Sequence, residues 1–245
     1  MSTAITYSRY GSPDVLTVTS ADIPQPGPGQ VLIRVRAVAV NPIDLKIRSG
    51  RMDGIIPVRF PVLPGWDVAG VVEAAGPGAV AGKGDEVLGA ASVGGYSEHA
   101  LLDHPVAKPA GLSWEAAASV ISVGEAAFRV LKHLGLKAGQ TLLILGAGGS
   151  VGTIAVQLAA ARGITVIGTA AEGDLGRLTG LGATAVRYGD GWADRAPEAL
   201  PELAAQLADG RLNVPIWRSY PLAQAAQAHA DLEARRNHGK IVLLP

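Results

Sequence analysis

Hydrophobic and polar residues form short strand-like runs over the first hundred residues of the chain. The run from Val31 to Val40 alternates over its first half and is wholly apolar over its second, as in a strand that enters a core. Glycine and proline separate the further runs WDVAGVVEAAG, DEVLGA and GGYSEHALL. Short strand-like runs separated by glycine and proline predict a small β-barrel.

An alanine-rich run from Trp114 to Leu134 is predicted to be helical, as one helix or two, with Ser113 as its N-cap. From Gln140 the pattern becomes a strand, a glycine-rich turn over Gly146–Gly152, an apolar helix, the strand TVIGTA, a second helix and the strand TAVRYG. Such alternation predicts a parallel, doubly wound sheet. It then stops, and the remaining residues predict a helix over 195–212, a strand followed by a helix over 214–236, and a final strand, GKIVLLP. The sheet is therefore expected to have about three strands.

Composition excludes several classes of function. Hydrophobic residues make up 48% and charged residues 17% of the 245 residues, which is typical of a chain with a sizeable core. Because 21 basic residues balance 21 acidic ones, no general attraction to nucleic acid or to an anionic membrane is expected. The chain has no cysteine, which excludes disulfides, thiolate nucleophiles and sulfur-ligated metals.

The apolar stretch Thr141–Ala161 contains four glycines that would break a membrane-spanning helix. The start of the chain, MSTAITYSRYG, lacks the apolar core of a signal peptide. We expect a cytoplasmic protein with no membrane partner.

Eight motifs occur in one order along the chain: AVAVNPIDLKIRSG, PVLPGWDVAGVVEAAGPG, GDEVLGA, GGYSEH, SVGEAAFRVL, LGAGGSVG, YPLAQAAQAH and GKIVL. Together they resemble the zinc-free quinone oxidoreductase branch of the medium-chain dehydrogenase/reductase superfamily. The resemblance implies a mixed α/β chain: a GroES-like barrel that binds substrate over 1–120, a truncated Rossmann-type domain over 121–212, and a segment over 213–245 that returns to the barrel. It also implies reduction of enones or quinones with NADPH in the cleft between the domains.

The resemblance excludes zinc. Asn41 and Trp66 stand where zinc-dependent relatives carry a cysteine and a histidine, and neither replacement is a usable zinc ligand.

Gly146, Gly149 and Gly152 have the spacing of the family's phosphate-binding turn. Backbone N–H groups at the helix start, where Ser150 and Val151 lie, would hold a pyrophosphate. The alternative is a strand–helix turn that was inherited with the fold, so that any cofactor site is vestigial or weak.

Glu172 lies twenty residues after Gly152, where an acidic residue could bind a ribose hydroxyl. Alternatively it is a solvated residue at a helix start. NADPH-using relatives carry a basic or hydroxyl residue in this region, and Arg177 is a partial substitute.

Two departures from the family pattern argue against hydride transfer. Only about fifty residues follow Tyr188, so the second nucleotide-binding half is missing, unless the chain was artificially shortened. Ala126 and Phe128 replace a threonine and a tyrosine of the family. Without a fourth strand, TLLIL becomes an exposed sheet edge, and we expect a homodimer contact or the segment RAPEALPELAAQL to cover it.

Four polar residues of the barrel half are candidate catalytic groups. The Asn41 amide could donate to a substrate carbonyl, or it could cap the turn that follows. Lys46 could donate a proton, or it could be an ordinary solvated lysine. Asp67 could be a semi-buried acid with a raised pKa, or it could bind an arginine or a backbone N–H. His99 could be an acid–base residue, or it could simply be packed.

Five further residues are predicted to bind substrate: Arg48, Met52, Trp66, Ile121 and Phe128. Trp66 is expected to line the cavity, and Arg48 could attract an anionic substrate from an otherwise solvated loop.

These observations favour a cofactor-independent enzyme that cyclises or isomerises a small apolar, polyketide-like molecule, because holding a flexible substrate in one orientation lowers a barrier. This hypothesis predicts no cofactor and a closed apolar pocket around Asn41, Trp66 and Phe128. A second hypothesis is an NADPH-dependent enone or quinone reductase. A third is a non-catalytic binding or regulatory protein with an open apolar surface.

Overall fold

The computed structural model describes residues 1–188, 200–211, 213–221, 224–233 and 240–244. The chain divides into two compact units, Met1–Tyr188 and Gly189–Pro245. The predicted boundary at 120/121 falls inside the first unit. The helix before it, Trp114–Ser119, contacts the barrel strands, and the helix after it, Ile121–Leu134, contacts the helix Ser150–Ala160. The boundary itself stays a prediction. The return of residues 213–245 to the barrel stays a prediction.

The first half of the first unit is a barrel-like β domain, as predicted. Strands β3 to β7 form one antiparallel sheet in the order β6-β3-β4-β5-β7, and β1 pairs with β2. The buried residues Val31, Ile33, Val68, Val72 and Leu102 fill its core. Its strands are β1 Ser2–Thr6, β2 Thr17–Ala21, β3 Val31–Val38, β4 Asp67–Ala75, β5 Glu86–Ala90, β6 His99–Leu102 and β7 Val106–Ala107.

Three helices accompany these strands, one between β3 and β4 and two between β7 and the second sheet. A short helix, α1, covers Pro42–Arg48, and the predicted alanine-rich run forms two helices, α2 Trp114–Ser119 and α3 Ile121–Leu134. The N-cap prediction is confirmed, since the Ser113 hydroxyl accepts the Ala116 N–H at 3.2 Å. Gly135 ends α3 with φ +62°, a left-handed conformation that favours glycine.

The second half of the first unit is a parallel sheet of three strands in the order β10-β9-β8, as predicted. Apolar side chains of α4, β9 and α5, among them Val156, Val166 and Leu178, fill its core. The strand β8 lies at the edge, and Leu143 and Leu145 are 58% and 64% exposed there. The elements are β8 Thr141–Ile144, α4 Ser150–Ala160, β9 Thr165–Ala170, a 3₁₀ turn Glu172–Asp174, α5 Leu175–Gly180 and β10 Ala183–Arg187.

Within its described residues, the second unit contains two helices and a two-stranded parallel sheet. These elements are α6 Leu200–Ala208, β11 Ile216–Pro221, α7 Ala225–Glu233 and β12 Lys240–Leu244. Within this unit the Tyr220 hydroxyl donates to the buried Asp231 carboxylate. Residues 195–199 of the segment that was expected to cover β8 lie outside the described residues, so both the segment and the homodimer stay predictions.

Within the described part of the chain, every helix is too short or too polar to cross a lipid bilayer.

Candidate functional site

A cleft of about 840 Å³ lies within the first unit, between the barrel-like domain and the parallel sheet. Such a volume is in the usual range for small-molecule and cofactor sites. Among the described side chains that line this cleft, Arg177 alone is ionisable. The cleft is lined by Val38, Ala39, Val40, Asn41, Leu112, Ala116, Ser119, Val120, Val123, Gly148, Ser150, Thr153, Ile154 and Arg177.

The glycine turn, residues Gly146–Gly152, joins β8 to α4. Its Gly148 and Ser150 line the cleft, and Gly146, Gly149, Val151 and Gly152 line a neighbouring groove along β8. Gly146 has φ +77°, and its N–H donates to the Thr169 hydroxyl at 3.1 Å. A Cβ on Gly152 would lie 2.6 Å from Gly146 O and 2.7 Å from Ala147 Cα. Both glycines are therefore required by the fold itself.

Gly149 differs from these two glycines. It has φ −72°, and a Cβ there would meet only Gly146 O, at the ordinary contact distance of 3.4 Å. The fold therefore tolerates a side chain at Gly149. A glycine is needed at this position only if a bound ligand approaches the start of α4 closely. Helix geometry leaves the first N–H groups of α4, those of Ser150 and Val151, without acceptors inside the helix. The glycine turn thus fits a dinucleotide pyrophosphate.

The opposite wall of the cleft presents Asn41, which a buried carboxylate holds in place. The Asn41 Nδ2 donates to Asp67 Oδ2 at 2.9 Å. Asp67 is 1% exposed and also accepts the Ser122 hydroxyl at 2.6 Å and the Ser122 backbone N–H at 3.0 Å. Of the two interpretations of Asp67, the structural one matches these contacts, since Asp67 lies behind Asn41 and is not among the residues that line the cleft.

A second buried carboxylate, Asp44, adjoins this network. It accepts the Asn41 backbone N–H at 2.7 Å, and the Tyr96 hydroxyl donates to it at 3.4 Å. Burial raises the pKa of Asp44 above its usual value, against the lowering effect of these two hydrogen bonds. Burial also raises the pKa of Tyr96 to about 12, so its hydroxyl keeps its proton throughout the neutral range.

Asp44→Asn is expected to reduce the dependence of the free energy of unfolding on pH above about pH 4. A carboxyl whose pKa is raised by folding binds its proton more tightly in the folded chain. Its stabilising contribution is present below the unfolded pKa of 3.8 and is lost as pH rises through the folded value. The amide oxygen of the introduced asparagine can still accept the Asn41 N–H, so the variant should be at least as stable as wild type at neutral pH.

Urea denaturation of both proteins across the acidic to neutral range measures this difference. Asp53→Asn, at an exposed aspartate that accepts the Tyr10 hydroxyl, is the matched control. Parallel pH profiles for wild type and Asp44→Asn would contradict the prediction.

Two predicted catalytic residues lie apart from Asn41 and Asp67. Lys46 is exposed on α1 and does not line the cleft. The ring of His99 is buried between the Ser2 hydroxyl, 3.0 Å from Nδ1, and the Glu73 carboxylate, 3.1 Å from Nε2. The packed interpretation of His99 therefore matches its surroundings. Neither residue is placed to exchange a proton with a molecule in the cleft.

The five predicted substrate-binding residues do not come together. Trp66 lines a separate cavity of about 190 Å³ beside Asp44, and Phe128 is 49% exposed, with the Arg162 guanidinium 5.4 Å from its ring centroid. The expected closed pocket around Asn41, Trp66 and Phe128 is therefore wrong, because α3 turns Phe128 outward. The other three, Arg48, Met52 and Ile121, are half-buried and do not line the cleft.

On the cofactor side, Gly146, Gly149, Ser150, Val151 and Gly152 lie together in the glycine turn and the start of α4. The predicted ribose ligand Glu172 is instead 74% exposed, with Oε2 3.5 Å from Nε of Arg187. It is not among the cleft residues.

Sequence reasoning missed Ser122 and Thr153, which hold Asp67 and Arg177 in place. A serine or threonine in a helix carries no local signal of the partner that it binds in the folded chain. No three His, Asp or Glu side chains converge as a metal site within the described ranges, and the absence of zinc stays a prediction.

Two family models match most of the chain. One, described as the alcohol dehydrogenase GroES-like domain, matches residues 27–173, and one described as zinc-binding dehydrogenase matches residues 115–243. The chain belongs to the medium-chain dehydrogenase/reductase superfamily. Within that superfamily it is quinone oxidoreductase-like, as its motifs predict.

Curated relatives support this placement. A quinone oxidoreductase of Homo sapiens is 42% identical over 176 residues, which cover 68% of this chain and 52% of the relative. A 2-methylene-furan-3-one reductase of Solanum lycopersicum is 35% identical over 195 residues, which cover 74% of this chain and 50% of the relative. This medium-chain dehydrogenase/reductase chain thus spans about half the length of the curated relatives it matches.

Solved structures share the fold. A quinone oxidoreductase from Coxiella burnetii aligns with a TM-score of 0.71 and 25% identity, covering 99% of this chain and 98% of that chain. A mycobacterial protein in complex with NADPH aligns with a TM-score of 0.70 and 28% identity, covering 100% of both chains.

Proposed function

We propose that this chain binds NADPH at the glycine turn and reduces an enone or a quinone in the cleft. The observation that carries the proposal is Gly149, a glycine at the start of α4 that the fold does not need and that a bound pyrophosphate would need. The relatives support it as well, because they are named as quinone oxidoreductases and as a reductase of an enone, and one similar structure contains NADPH.

The chain's own residues have distinct parts in this proposal. The first N–H groups of α4 would hold the pyrophosphate, and Val38, Val120 and Val123 supply an apolar lining that limits water. When bound, the cofactor would supply a hydride to the acceptor.

Asn41 would act on the acceptor oxygen, which gains negative charge as the acceptor is reduced. One N–H of its amide donates to Asp67, which leaves the second N–H for an oxygen in the cleft. Since no carboxylic acid, histidine or lysine is among the cleft residues in the part of the chain that the structure describes, we propose that solvent water supplies the proton that completes the reduction.

A second candidate function is cofactor-independent cyclisation or isomerisation of an apolar, polyketide-like molecule. The observation that favours it is a groove of about 570 Å³ along the exposed β8 edge, here called the edge groove, which Asn41 also borders. Its lining includes Val130, Leu134 and Leu143, which would suit a bulky apolar substrate.

Calorimetric titration with NADPH and then NADH separates the two functions. The reductase proposal predicts stoichiometric binding of NADPH and its oxidation when a simple quinone is added. Gly149→Ala, which adds only a Cβ before α4, should weaken NADPH binding tenfold to a hundredfold and slow NADPH oxidation accordingly, whereas Asp53→Asn should leave both unchanged. If wild-type protein binds neither nucleotide at millimolar concentration, the reductase proposal is wrong and the search moves to apolar substrates of the edge groove.

A further inference from the structure

Arg177, on α5, brings a positive charge into a cleft whose other described lining residues are uncharged. Its side chain is 44% exposed, so it can meet a ligand without first leaving a buried position. It lines the cleft next to Gly148 and Thr153, on the same side as the glycine turn. An anionic group of a ligand held at this turn would therefore lie within reach of Arg177.

Two neutral groups fix the guanidinium in this place. Its Nη1 donates to the Thr153 hydroxyl at 2.9 Å, and its Nη2 donates to Gly148 O at 3.0 Å. Both acceptors belong to the glycine turn or to α4, so the guanidinium is tied to the element that would hold the pyrophosphate. These two contacts hold the guanidinium in one position. Because both acceptors are uncharged, they do not neutralise its positive charge.

The Asp174 carboxylate neutralises the positive charge of Arg177. Its Oδ1 accepts from Nη2 at 2.6 Å and from Nε at 3.3 Å. The same two nitrogens of an arginine, Nε and one Nη, can together donate hydrogen bonds to two oxygens of a phosphate. A phosphate that used this edge would have to displace Asp174.

NADPH and NADH differ by a phosphate on the 2′ position of the adenosine ribose. In glycine-turn sites this ribose lies just after the end of the second strand, which here is β9. Glu172, Asp174 and Arg177 all follow β9, and of these three Arg177 lines the cleft. Glu172 pairs with Arg187, whereas Asp174 binds Arg177. The cation that faces the cleft after β9 is thus already bound by a carboxylate.

We infer that Asp174 is an internal competitor for the Arg177 guanidinium and that this pair sets the discrimination between 2′-phosphorylated and unphosphorylated dinucleotides. The inference rests on the proposed function, since it requires that a dinucleotide binds at the glycine turn. In the resting chain the carboxylate occupies the place of the 2′-phosphate. When NADPH binds, its 2′-phosphate replaces the Asp174 carboxylate on Arg177. Because one anion replaces another, the wild-type chain should bind NADPH only slightly more tightly than NADH.

Titration of full-length variants with NADPH and NADH tests this inference. Asp174→Asn keeps the shape of the side chain but removes its charge, and it should tighten NADPH binding about tenfold. Arg177→Gln should weaken NADPH binding about tenfold, and both variants should change the Kd for NADH by less than about threefold. In the double variant the gain from Asp174→Asn should vanish, because the two residues act through one contact.

Arg129→Gln is the matched control, because it removes an equal charge from an exposed arginine of α3 that does not line the cleft. The inference is overturned if Asp174→Asn leaves the Kd for NADPH unchanged, or if Arg177→Gln shifts both nucleotides equally; in either case the proposed function stands. Failure of wild-type protein to bind either nucleotide would overturn both. Thermal melts of each variant without nucleotide confirm that the fold is retained.

Discussion

Gly152→Ala is expected to destabilise the chain by about 3 kcal/mol, whereas Gly149→Ala should change its stability by less than about 1 kcal/mol. The added Cβ at Gly152 would lie 2.6 Å from Gly146 O and 2.7 Å from Ala147 Cα, and both are backbone atoms that cannot rotate away. At Gly149 the nearest atom is 3.4 Å away and φ is −72°, so alanine fits without strain. Urea denaturation of the two variants measures the difference.

The same two substitutions separate fold from ligand binding. Gly149→Ala should keep the stability of wild type but weaken NADPH binding tenfold to a hundredfold, roughly the effect of an overpacked contact. A loss of binding in Gly149→Ala without a loss of stability identifies the glycine turn as a phosphate cradle. Unchanged nucleotide affinity in this variant would instead mean that the turn is only an inherited connection between β8 and α4.

Asp67→Ala is expected to cost about 3 kcal/mol of unfolding free energy. The substitution removes the acceptor for the Asn41 amide and for both donors of Ser122, and Asn41 is a buried side chain. A buried donor without an acceptor destabilises the folded chain by more than one hydrogen bond stabilises it. The loss of unfolding free energy should therefore exceed the contribution of any one of these hydrogen bonds. Asp67→Asn, which retains an acceptor oxygen, should cost about half as much or less.

Ser122→Ala is the matched control for Asp67, because it removes one donor and leaves the contact between Asn41 and Asp67 intact. It should cost about 1 kcal/mol and leave turnover of a quinone nearly unchanged. Asp67→Ala should lower turnover about a hundredfold, since Asn41 is no longer held toward the cleft. Equal turnover in the two variants would show that Asp67 does not position Asn41.

Hydrophobic periodicity and the positions of glycine and proline predicted the secondary structure well in stretches where both signals indicate the same element. β4, β5, β8 and β9 lie where their runs of apolar residues place them. The helical character of the alanine-rich run and the edge position of β8 were also foreseen, whereas the sequence left open whether the run forms one helix or two. In each case the signal is local: a run of apolar residues, a cap residue, or the end of the strand–helix alternation after TAVRYG.

The pairs of side chains that build the site were not foreseen. Trp66 was grouped with Asn41 because it stands at the position of a zinc ligand in relatives, and His99 because histidine is a common acid–base residue. In the structure His99 binds Ser2 and Glu73, and Trp66 lines another cavity. Motif membership says which residues share a region of the chain. It does not say which face of a strand a side chain occupies, and that face depends on pairing between strands that are distant in sequence.

By itself the sequence determined the family, the order of the strands and helices, and the glycine turn, because each follows from residues that are close together along the chain. Only the tertiary structure decided which glycines the fold requires, that Asp67 holds Asn41 and Ser122, and that Asp174 occupies the Arg177 guanidinium. The physical reason is that hydrogen bonds and steric contacts depend on distances of a few ångströms between segments that folding brings together. The chemistry of the cleft is therefore a property of how the elements are packed, and the sequence motifs specify only which elements are present.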